Sequence, residues 1–539
     1  MTELATSAAS FTRPVMARAC ACAALGGVAI GMGGAPYEAF AIAWMGPALI
    51  VLGLRALRDA ARGDERKSLR RAALVGLSAG LASNATTCAW VVDLLRTYAY
   101  MPAPIAWLVA SLLFLAQSLP FVLGAMLAWA IERLLRELVG PRPATLELAF
   151  VLATGIASAS APMIFPWRIG NSQTGLLALA QIVELGGLPL LDLVLGLASV
   201  LALIALLGPG HARARVLVGV AAVALLAVPS AWGAHRLDEV RAERARRAPL
   251  VVGLVQHDFD VPERFDASQW EAQLAITWSL ARSLDEQGVD VLLWPESSYP
   301  WGLRRLQLGL SPRSPGAYPD EIGLSTQRLR APIVLGAMTR GDDDVYNSVI
   351  AIDAAHVLGV VDKTRLMPFS ERIPLWELVP FLHGVLRPGL TPGPREGGAI
   401  DVAGQRLGIL NCYEDLMADH VWRVMSHRPT VLSNHTNDAW FGRTRAPGLH
   451  HFLARMRAIE TRRDLVRTVN TGVSGVVSST GETLVRTGVF ERTTVRAIVR
   501  PSDELTPWVR YGDLTTAGLW GVVLALLTRW LRARARPRA

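Results

Sequence analysis

Two side chains at the ends of short apolar runs have the chemistry of a nucleophile and its general base. Cys412 ends the run QRLGILNC and precedes a helical pattern, so it sits at a strand-to-helix turn where the helix N-terminus and any nearby cation favour a thiolate. Glu296 follows the run VLLWP, where partial burial raises the pKa of a carboxyl group and suits it to accept a proton from a thiol. Each alone has a structural alternative, a buried cysteine or a charged loop residue. A nucleophile and its base still need a group that stabilises an oxyanion.

Lysine is rare in this chain, which makes Lys363 informative. The sequence has 54 lysine and arginine residues, and only Lys67 and Lys363 are lysine. Arginine presents a wide planar fork, whereas lysine is a compact point donor. A site that holds an oxyanion beside a thiolate favours the compact form. Chance retention of one lysine is the alternative. The sequence therefore favours Glu296, Lys363 and Cys412 as one catalytic set.

These residues lie in a segment that reads as an α/β domain. Short apolar runs typical of strands alternate with segments of helical spacing, which predicts a layered α/β arrangement. The predicted strands are 250–256, 291–295, 331–338, 347–352, 405–412 and 430–434, and the predicted helices are 268–287, 415–427 and 446–463. Segment 373–387 is unusually apolar for a connection, so it is either core or a lid that touches lipid.

The rest of the chain has the composition of a membrane protein. The whole chain has 539 residues, of which 51% are hydrophobic and 18% are charged, and its mean hydropathy is +0.32. These values exclude a disordered chain, and the four cysteines exclude a disulfide scaffold or a cysteine-rich zinc module. A span needs about 20 mostly apolar residues. The candidate runs are 14–34, 37–57, 72–94, 105–131, 146–166, 187–208, 215–233 and 514–530. We therefore expect an N-terminal membrane domain of about seven helices over 1–235, a catalytic domain over 236–513, and a final membrane helix with a basic tail over 514–539.

The distribution of basic residues predicts the orientation in the membrane. Connectors 55–71, 132–145 and 209–215 and the C-terminal tail are rich in arginine, whereas connectors 95–104 and 167–186 are not. Because basic residues stay cytoplasmic, both termini are expected inside and the catalytic domain outside. This topology accounts for most of the formal charge of +9, and we see no basic stripe that would indicate nucleic acid. A cleaved signal peptide is the alternative for the first run.

Several motifs of segment 250–510 carry a family resemblance. The motifs are WPES at 294–297, DK at 362–363 with LMPF at 366–369, CYE at 412–414, NDAWFG at 437–442, HF at 451–452 with ARMRA at 454–458, and LTP at 505–507. With these motifs the segment resembles the carbon–nitrogen hydrolase (nitrilase) superfamily and, more closely, its membrane branch, the apolipoprotein N-acyltransferase family. The eight-span layout, with the catalytic domain inserted before the last span, also matches that family.

The resemblance implies a fold and a role for each site residue. The fold would be an αββα sandwich. Cys412 would be the nucleophile that carries the acyl group as a thioester, Glu296 the general base, and Lys363 the oxyanion donor, helped by the backbone N–H of Tyr413. Supporting positions implied by the family are Glu371, Tyr413 and Glu414.

Three positions depart from the family pattern. The usual PFGE reads PFSE at 368–371, the usual Asn-Asn-Gly reads Asn470-Thr471-Gly472, and Phe265 stands where tryptophan is common. These changes concern substrate contacts rather than the triad, so they leave the exact donor and acceptor open.

The implied function is transfer of an acyl chain from a phospholipid to the N-terminal amine of a diacylglyceryl-cysteine apolipoprotein, by a ping-pong mechanism. The protein would then be a multi-pass bacterial inner-membrane protein with a periplasmic catalytic domain, and its partners would be membrane phospholipid and apolipoprotein. We expect no cofactor, and no metal, since His435, His450 and His451 fit no zinc spacing. The alternatives are a membrane-tethered amidase or thioester hydrolase, and a non-catalytic paralogue that binds lipoproteins.

Overall fold

A computed structural model describes residues 2–60, 65–140, 142, 144–305, 329–373 and 389–535. The chain divides into two compact units. Residues Met1–Leu237 and Arg510–Ala539 form the first, here called the helical unit, and residues Asp238–Val509 form the second, here called the α/β unit. The predicted apolar segment 373–387 falls almost entirely on residues 374–388, which lie outside the described residues, so both interpretations of it stay predictions.

The helical unit consists of helices joined by short connections. Its helices are α1 (Thr2–Met32), α2 (Phe40–Ala43), α3 (Met45–Ala60), α4 (Glu65–Cys88), α5 (Trp90–Thr97), α6 (Ala103–Gln117), α7 (Leu119–Val139), α8 (Thr145–Ser160), α9 (Leu177–Ala180), α10 (Val183–Leu207), α11 (Ala212–Arg246), which continues past the unit boundary, and α17 (Leu514–Ala535). Their apolar composition accounts for the exposed leucine and valine side chains of α6, α11 and α17. Such faces are stable next to lipid rather than water.

Several of these helices have the length of a membrane span. In the described part of the chain, six helical segments are long and apolar enough to cross a membrane, with α2 and α3 counted as one segment and α6 and α7 as another. Helix α4 with α5, bent by 57°, makes a seventh. Helix α8 is shorter, at 16 residues. The expected set of long apolar helices beside an α/β domain is confirmed, whereas the number of spans and the side of the membrane stay predictions.

The α/β unit contains two sheets. Their strands, among the described residues, are β1 (Leu250–Gln256), β2 (Val291–Leu293), β3 (Tyr299–Arg304), β4 (Ile333–Arg340), β5 (Val345–Ile352), β6 (Val357–Asp362), β7 (Gly398–Val402), β8 (Gln405–Asn411), β9 (Val431–Thr436), β10 (Leu465–Val469), β11 (Gly475–Val477), β12 (Thr483–Arg486) and β13 (Thr493–Val499). The first sheet has the order β13-β1-β2-β4-β5-β6, with β3 on β4, and the second has the order β12-β11-β10-β9-β8-β7.

Strand direction brings several chain segments to one edge of the first sheet. Strands β1, β2 and β4 are parallel, and β5 is antiparallel to both β4 and β6, so β2 and β6 end at the same edge and β5 begins there. In the second sheet, β8, β9 and β10 are parallel. Residues that follow β2 and β6, and those at the start of β5, are thereby placed close together.

The two sheets pack face to face between helices. One buried cluster joins both sheets and includes Leu254, Leu293, Ile409 and Val466. The outer face of the first sheet packs against α13 (Trp270–Glu286), and that of the second packs against α14 (Ala418–Val424) and α15 (Ala446–Thr461). The remaining helices are α12 (Val261–Phe265) and α16 (Pro507–Tyr511). These four layers are the αββα arrangement that the family resemblance implied.

Candidate active site

Cys412 stands at a sharp turn after β8. Its φ is 55°, the left-handed region, and a short 3-10 helix (Cys412–Leu416) begins there. Such a conformation costs a non-glycine residue about 1–3 kcal/mol and persists only where neighbours fix it. Here the side-chain amide of Asn434, on β9, donates to the carbonyl oxygen of Cys412 at 2.7 Å. The thiol is buried, with 9% of the residue exposed.

Glu296 follows β2 and accepts three hydrogen bonds. Its Oε1 accepts from Lys363 Nζ at 3.0 Å and from Asn347 Nδ2 at 2.7 Å, and its Oε2 accepts from the backbone N–H of Asn437 at 3.0 Å. A carboxylate has about four acceptor positions. Among the donors of the residues that the structure describes, one acceptor position is left, on Oε2.

Lys363 follows β6 and lies between two carboxylates. Its Nζ donates to Glu296 Oε1 at 3.0 Å and to Glu371 Oε1 at 2.8 Å, and the residue is 2% exposed. Glu371 is held in turn by the backbone N–H of Met367, which donates to its Oε2 at 2.8 Å. A buried ammonium needs such partners, because an unpaired charge in this environment is strongly unfavourable.

Burial and mutual charge set the protonation states of these groups. Burial raises the pKa of Cys412, the negative charge of Glu296 raises it further, and Lys363 only partly offsets them, so it lies well above the usual value. Burial also raises the pKa of Glu296, against the ammonium of Lys363. Burial lowers the pKa of Lys363, but Glu296 and Glu371 more than reverse this, so it stays charged. The sequence predicted that the turn favours a thiolate, whereas burial and the charge of Glu296 favour the protonated thiol.

Hydrogen bonds of Glu414 and Tyr413 connect the turn at Cys412 to the segment after Lys363. Glu414 is buried, and its carboxylate accepts from the backbone N–H groups of Thr364 at 2.7 Å, Arg365 at 2.8 Å and Asn411 at 2.8 Å. Burial raises the pKa of Glu414, but His420 and these N–H groups lower it by more. The Tyr413 hydroxyl donates to the carbonyl of Leu366 at 2.9 Å.

The structure thus brings together all six sequence-predicted site residues. The charge of Glu296 raises the pKa of the Cys412 thiol and that of Lys363 lowers it, and Glu371, Tyr413 and Glu414 contact Lys363 or its neighbours. The roles of the six residues are not visible in the geometry and remain predictions.

Sequence reasoning missed two groups of polar side chains. One is the pair Asn347 and Asn411, whose amides are hydrogen-bonded to each other at 3.1 Å beside the carboxylates. The only signal for Asn347 was a polar residue at the start of an otherwise apolar strand.

The other missed group is a buried ionic cluster behind Cys412. His450 lies 2.9 Å from Asp415 and 3.0 Å from Asp438, and Arg467 also contacts Asp415. These contacts give His450 a structural role. Among the residues that the structure describes, no group of three His, Cys, Asp or Glu side chains could hold a metal ion.

The α/β unit has the fold of a carbon–nitrogen hydrolase domain. Residues 252–504 match the carbon–nitrogen hydrolase family model, and residues 26–201 match the model of the apolipoprotein N-acyltransferase N-terminal domain. An amidase from Nesterenkonia sp. is similar in structure, with 17% identity and a TM-score of 0.35, over 50% of this chain and 96% of that chain.

Relatives similar over nearly the full chain are named apolipoprotein N-acyltransferase. The one from Ralstonia nicotianae is 31% identical over 516 residues, 91% of this chain and 90% of the relative. The one from Geobacter metallireducens is 29% identical over 469 residues, 83% of this chain and 85% of the relative. The chain belongs to the apolipoprotein N-acyltransferase family and is an enzyme of the acyltransferase class, so the family predicted from its motifs is confirmed.

Proposed function

We propose that this protein transfers an acyl chain from a membrane phospholipid to the N-terminal amine of a diacylglyceryl-cysteine apolipoprotein, through a thioester on Cys412. The observation that carries the proposal is the buried ammonium of Lys363, placed between Glu296 and Glu371 and acting on the Cys412 thiol. This set supplies a nucleophile, a base and a cation in one site, and the family relatives are named for this reaction.

In the first half-reaction, the sulfur of Cys412 attacks the ester carbonyl of the phospholipid while Glu296 takes the thiol proton. Burial and the charge of Glu296 raise the pKa of the thiol, which favours attack coupled to proton transfer, and a base in hydrogen-bond reach is required. Negative charge develops on the carbonyl oxygen, where Lys363 and the backbone N–H of Tyr413 stabilise it. The carbon–oxygen bond then breaks, and the leaving lysophospholipid takes the proton from Glu296.

In the second half-reaction, the lipoprotein amine attacks the thioester. A carbon–nitrogen bond forms, the carbon–sulfur bond breaks, and Glu296 transfers the amine proton to the sulfur. The products are the amide and the free thiol, so the site returns to its starting state. One site used in turn by two substrates gives ping-pong kinetics.

The helical unit suits lipid-anchored substrates. Extracting an acyl chain from a bilayer costs about 0.8 kcal/mol per methylene, which a catalytic domain tethered to the membrane avoids. We place the protein in the bacterial inner membrane with the α/β unit on the periplasmic side and both termini in the cytoplasm. The arginine-rich connectors support this orientation.

The test uses the full-length protein in mixed micelles that contain a phospholipid with a radiolabelled acyl chain. We expect a labelled adduct on Cys412, identified by mass spectrometry, and transfer of the label to the amine of a diacylglyceryl lipopeptide added afterwards. Release of the label only as free acid would instead identify an amidase or thioester hydrolase. A Cys412 that carries no adduct would indicate a non-catalytic paralogue.

Two variants make the test specific. Cys412→Ser should fold and yield no turnover. Cys88→Ser replaces another buried cysteine, in the helical unit, and should form the adduct as the unaltered protein does. A second measurement is complementation of a strain depleted of its own N-acyltransferase, scored by mass spectrometry of a lipoprotein N-terminus.

A further inference from the structure

The side chain of Asn347 donates to the same two carboxylates as Lys363 but carries no charge. Its Nδ2 donates to Glu296 Oε1 at 2.7 Å and to Glu371 Oε1 at 3.2 Å, the same two oxygens that Lys363 contacts. Its backbone carbonyl also accepts from the N–H of Lys363 at 2.8 Å. The residue lies near the start of β5 and is 4% exposed. Both carboxylates are therefore held by one ammonium and one amide.

The orientation of this amide is fixed by its neighbours. The Oδ1 of Asn347 accepts from Asn411 Nδ2 at 3.1 Å, and Asn411 immediately precedes Cys412. If the amide were flipped, its oxygen would face two carboxylate oxygens and its NH2 group would face another NH2 group, which is unfavourable at both ends. The amide thus links the two glutamates to the turn that carries the thiol.

We infer that Asn347 is a positioning residue that keeps Glu296 ionised and ready to accept the thiol proton. Two carboxylates that share a site favour binding of a proton by one of them. Lys363 supplies a single positive charge for both, and the two N–H bonds of Asn347 supply the remaining stabilisation of the ionised pair. This inference rests on the proposed function, because it assigns Glu296 the role of base.

The charged groups around Glu296 come from several elements. Lys363 and Glu371 follow β6, and Cys412 follows β8. Tyr413 lies beside Lys363, with its ring centroid 5.8 Å from Nζ, and the charge of Asp438 contributes to the raised pKa of the thiol. The ammonium of Lys363 is the positive charge bonded to both carboxylates. An added negative charge at position 347 should therefore mainly raise the pH at which Glu296 or Glu371 loses its proton.

The test is the pH profile of Asn347→Asp in the full-length protein in detergent. The substitution is nearly isosteric, removes both donors and adds a carboxyl group. The site should then retain one more proton up to a higher pH, so the acid limb of kcat/KM should move upward by about 1–3 pH units. Below that limb the rate should fall at least about tenfold, and it should recover at alkaline pH. Asn347→Ala removes the donors without adding charge and should move the limb in the same direction by less.

A second readout needs no substrate. The rate of Cys412 alkylation by iodoacetamide, followed by peptide mass spectrometry across the same pH range, reports the action of the base on the thiol. The control is Gln256→Glu, since Gln256 is a buried amide that donates to the carbonyls of Gly488 and Glu491. This variant should lower thermal stability and leave both pH profiles in place.

The outcomes separate this inference from the proposed function. An upward shift of both profiles in Asn347→Asp and Asn347→Ala supports the inference. A uniform loss of rate with unshifted profiles would show that Asn347 is only structural and would overturn it. If the unaltered protein forms no adduct with phospholipid, the proposed function fails, while the alkylation profile still decides the role of Asn347.

Discussion

Replacement of Lys363 by arginine keeps the positive charge and changes only its shape. The lysine nitrogen lies 3.0 Å from Glu296 and 2.8 Å from Glu371, and the side chain is almost fully buried. A guanidinium group is wider and planar and cannot occupy the position of one nitrogen atom. We therefore expect Lys363→Arg to fold, to keep both carboxylates paired, and to lose most of its activity.

The expected loss of stability is small, whereas the expected loss of rate is large. Overpacking of a buried site costs about 1–3 kcal/mol of the free energy of unfolding, which is less than the about 3–5 kcal/mol expected when a buried ion pair loses one partner, as in Lys363→Met. Displacement of one oxyanion donor lowers kcat by about 10²–10³-fold. A modest loss of stability together with a large loss of rate in Lys363→Arg would thus show that the site requires a compact donor.

The assay measures the first half-reaction, as the rate at which the Cys412 adduct forms, together with the thermal unfolding midpoint. The matched control is Lys67→Arg, a substitution of the only other lysine in the sequence, which should leave both quantities unchanged. If Lys363→Arg forms the adduct at a near-normal rate, the argument for a compact donor is wrong.

Further predictions concern the base, its titration and the supporting glutamate. Glu296→Gln should slow alkylation of Cys412 at neutral pH by at least about tenfold, since the raised pKa of the thiol leaves it dependent on a base; iodoacetamide labelling checks this. Because burial raises the pKa of Glu296 and the carboxylate is the active form, activity should fall with acidification at a pH above the usual glutamate pKa of about 4.3, which a kcat/KM profile measures. Glu414→Ala leaves three backbone N–H groups without their acceptor and should lower the free energy of unfolding by about 3 kcal/mol or more, measured by denaturant titration.

Much of the fold could be predicted because the relevant signals are local. The prediction for β1 matches residue for residue, since an interior strand that is buried on both faces of its sheet is a near-continuous apolar run. Strand β13 was missed. It alternates exposed and buried residues and pairs with β1, with Leu250 opposite Val499. A pairing across so much intervening sequence leaves no local signal.

Glu296 was selected because it follows a predicted strand, and Lys363 because lysine is rare in this chain. Two features were not predictable in this way. Asn347 belongs to a strand, and its contacts depend on the register of β5 with β4 and β6. The raised pKa of Cys412 depends on burial and on Glu296, which outweigh the local effect of a helix N-terminus.

The pairing of one ammonium with two carboxylates has a consequence for charge during the proposed reaction. Before attack, Lys363, Glu296 and Glu371 together carry one net negative charge and the thiol is neutral. When Glu296 becomes protonated, the lost carboxylate charge reappears on the substrate oxygen, so the total is unchanged. Charge therefore moves within the pocket, and no additional ion has to be desolvated at the transition state. Burial of an additional ion would be costly in a medium of low dielectric constant.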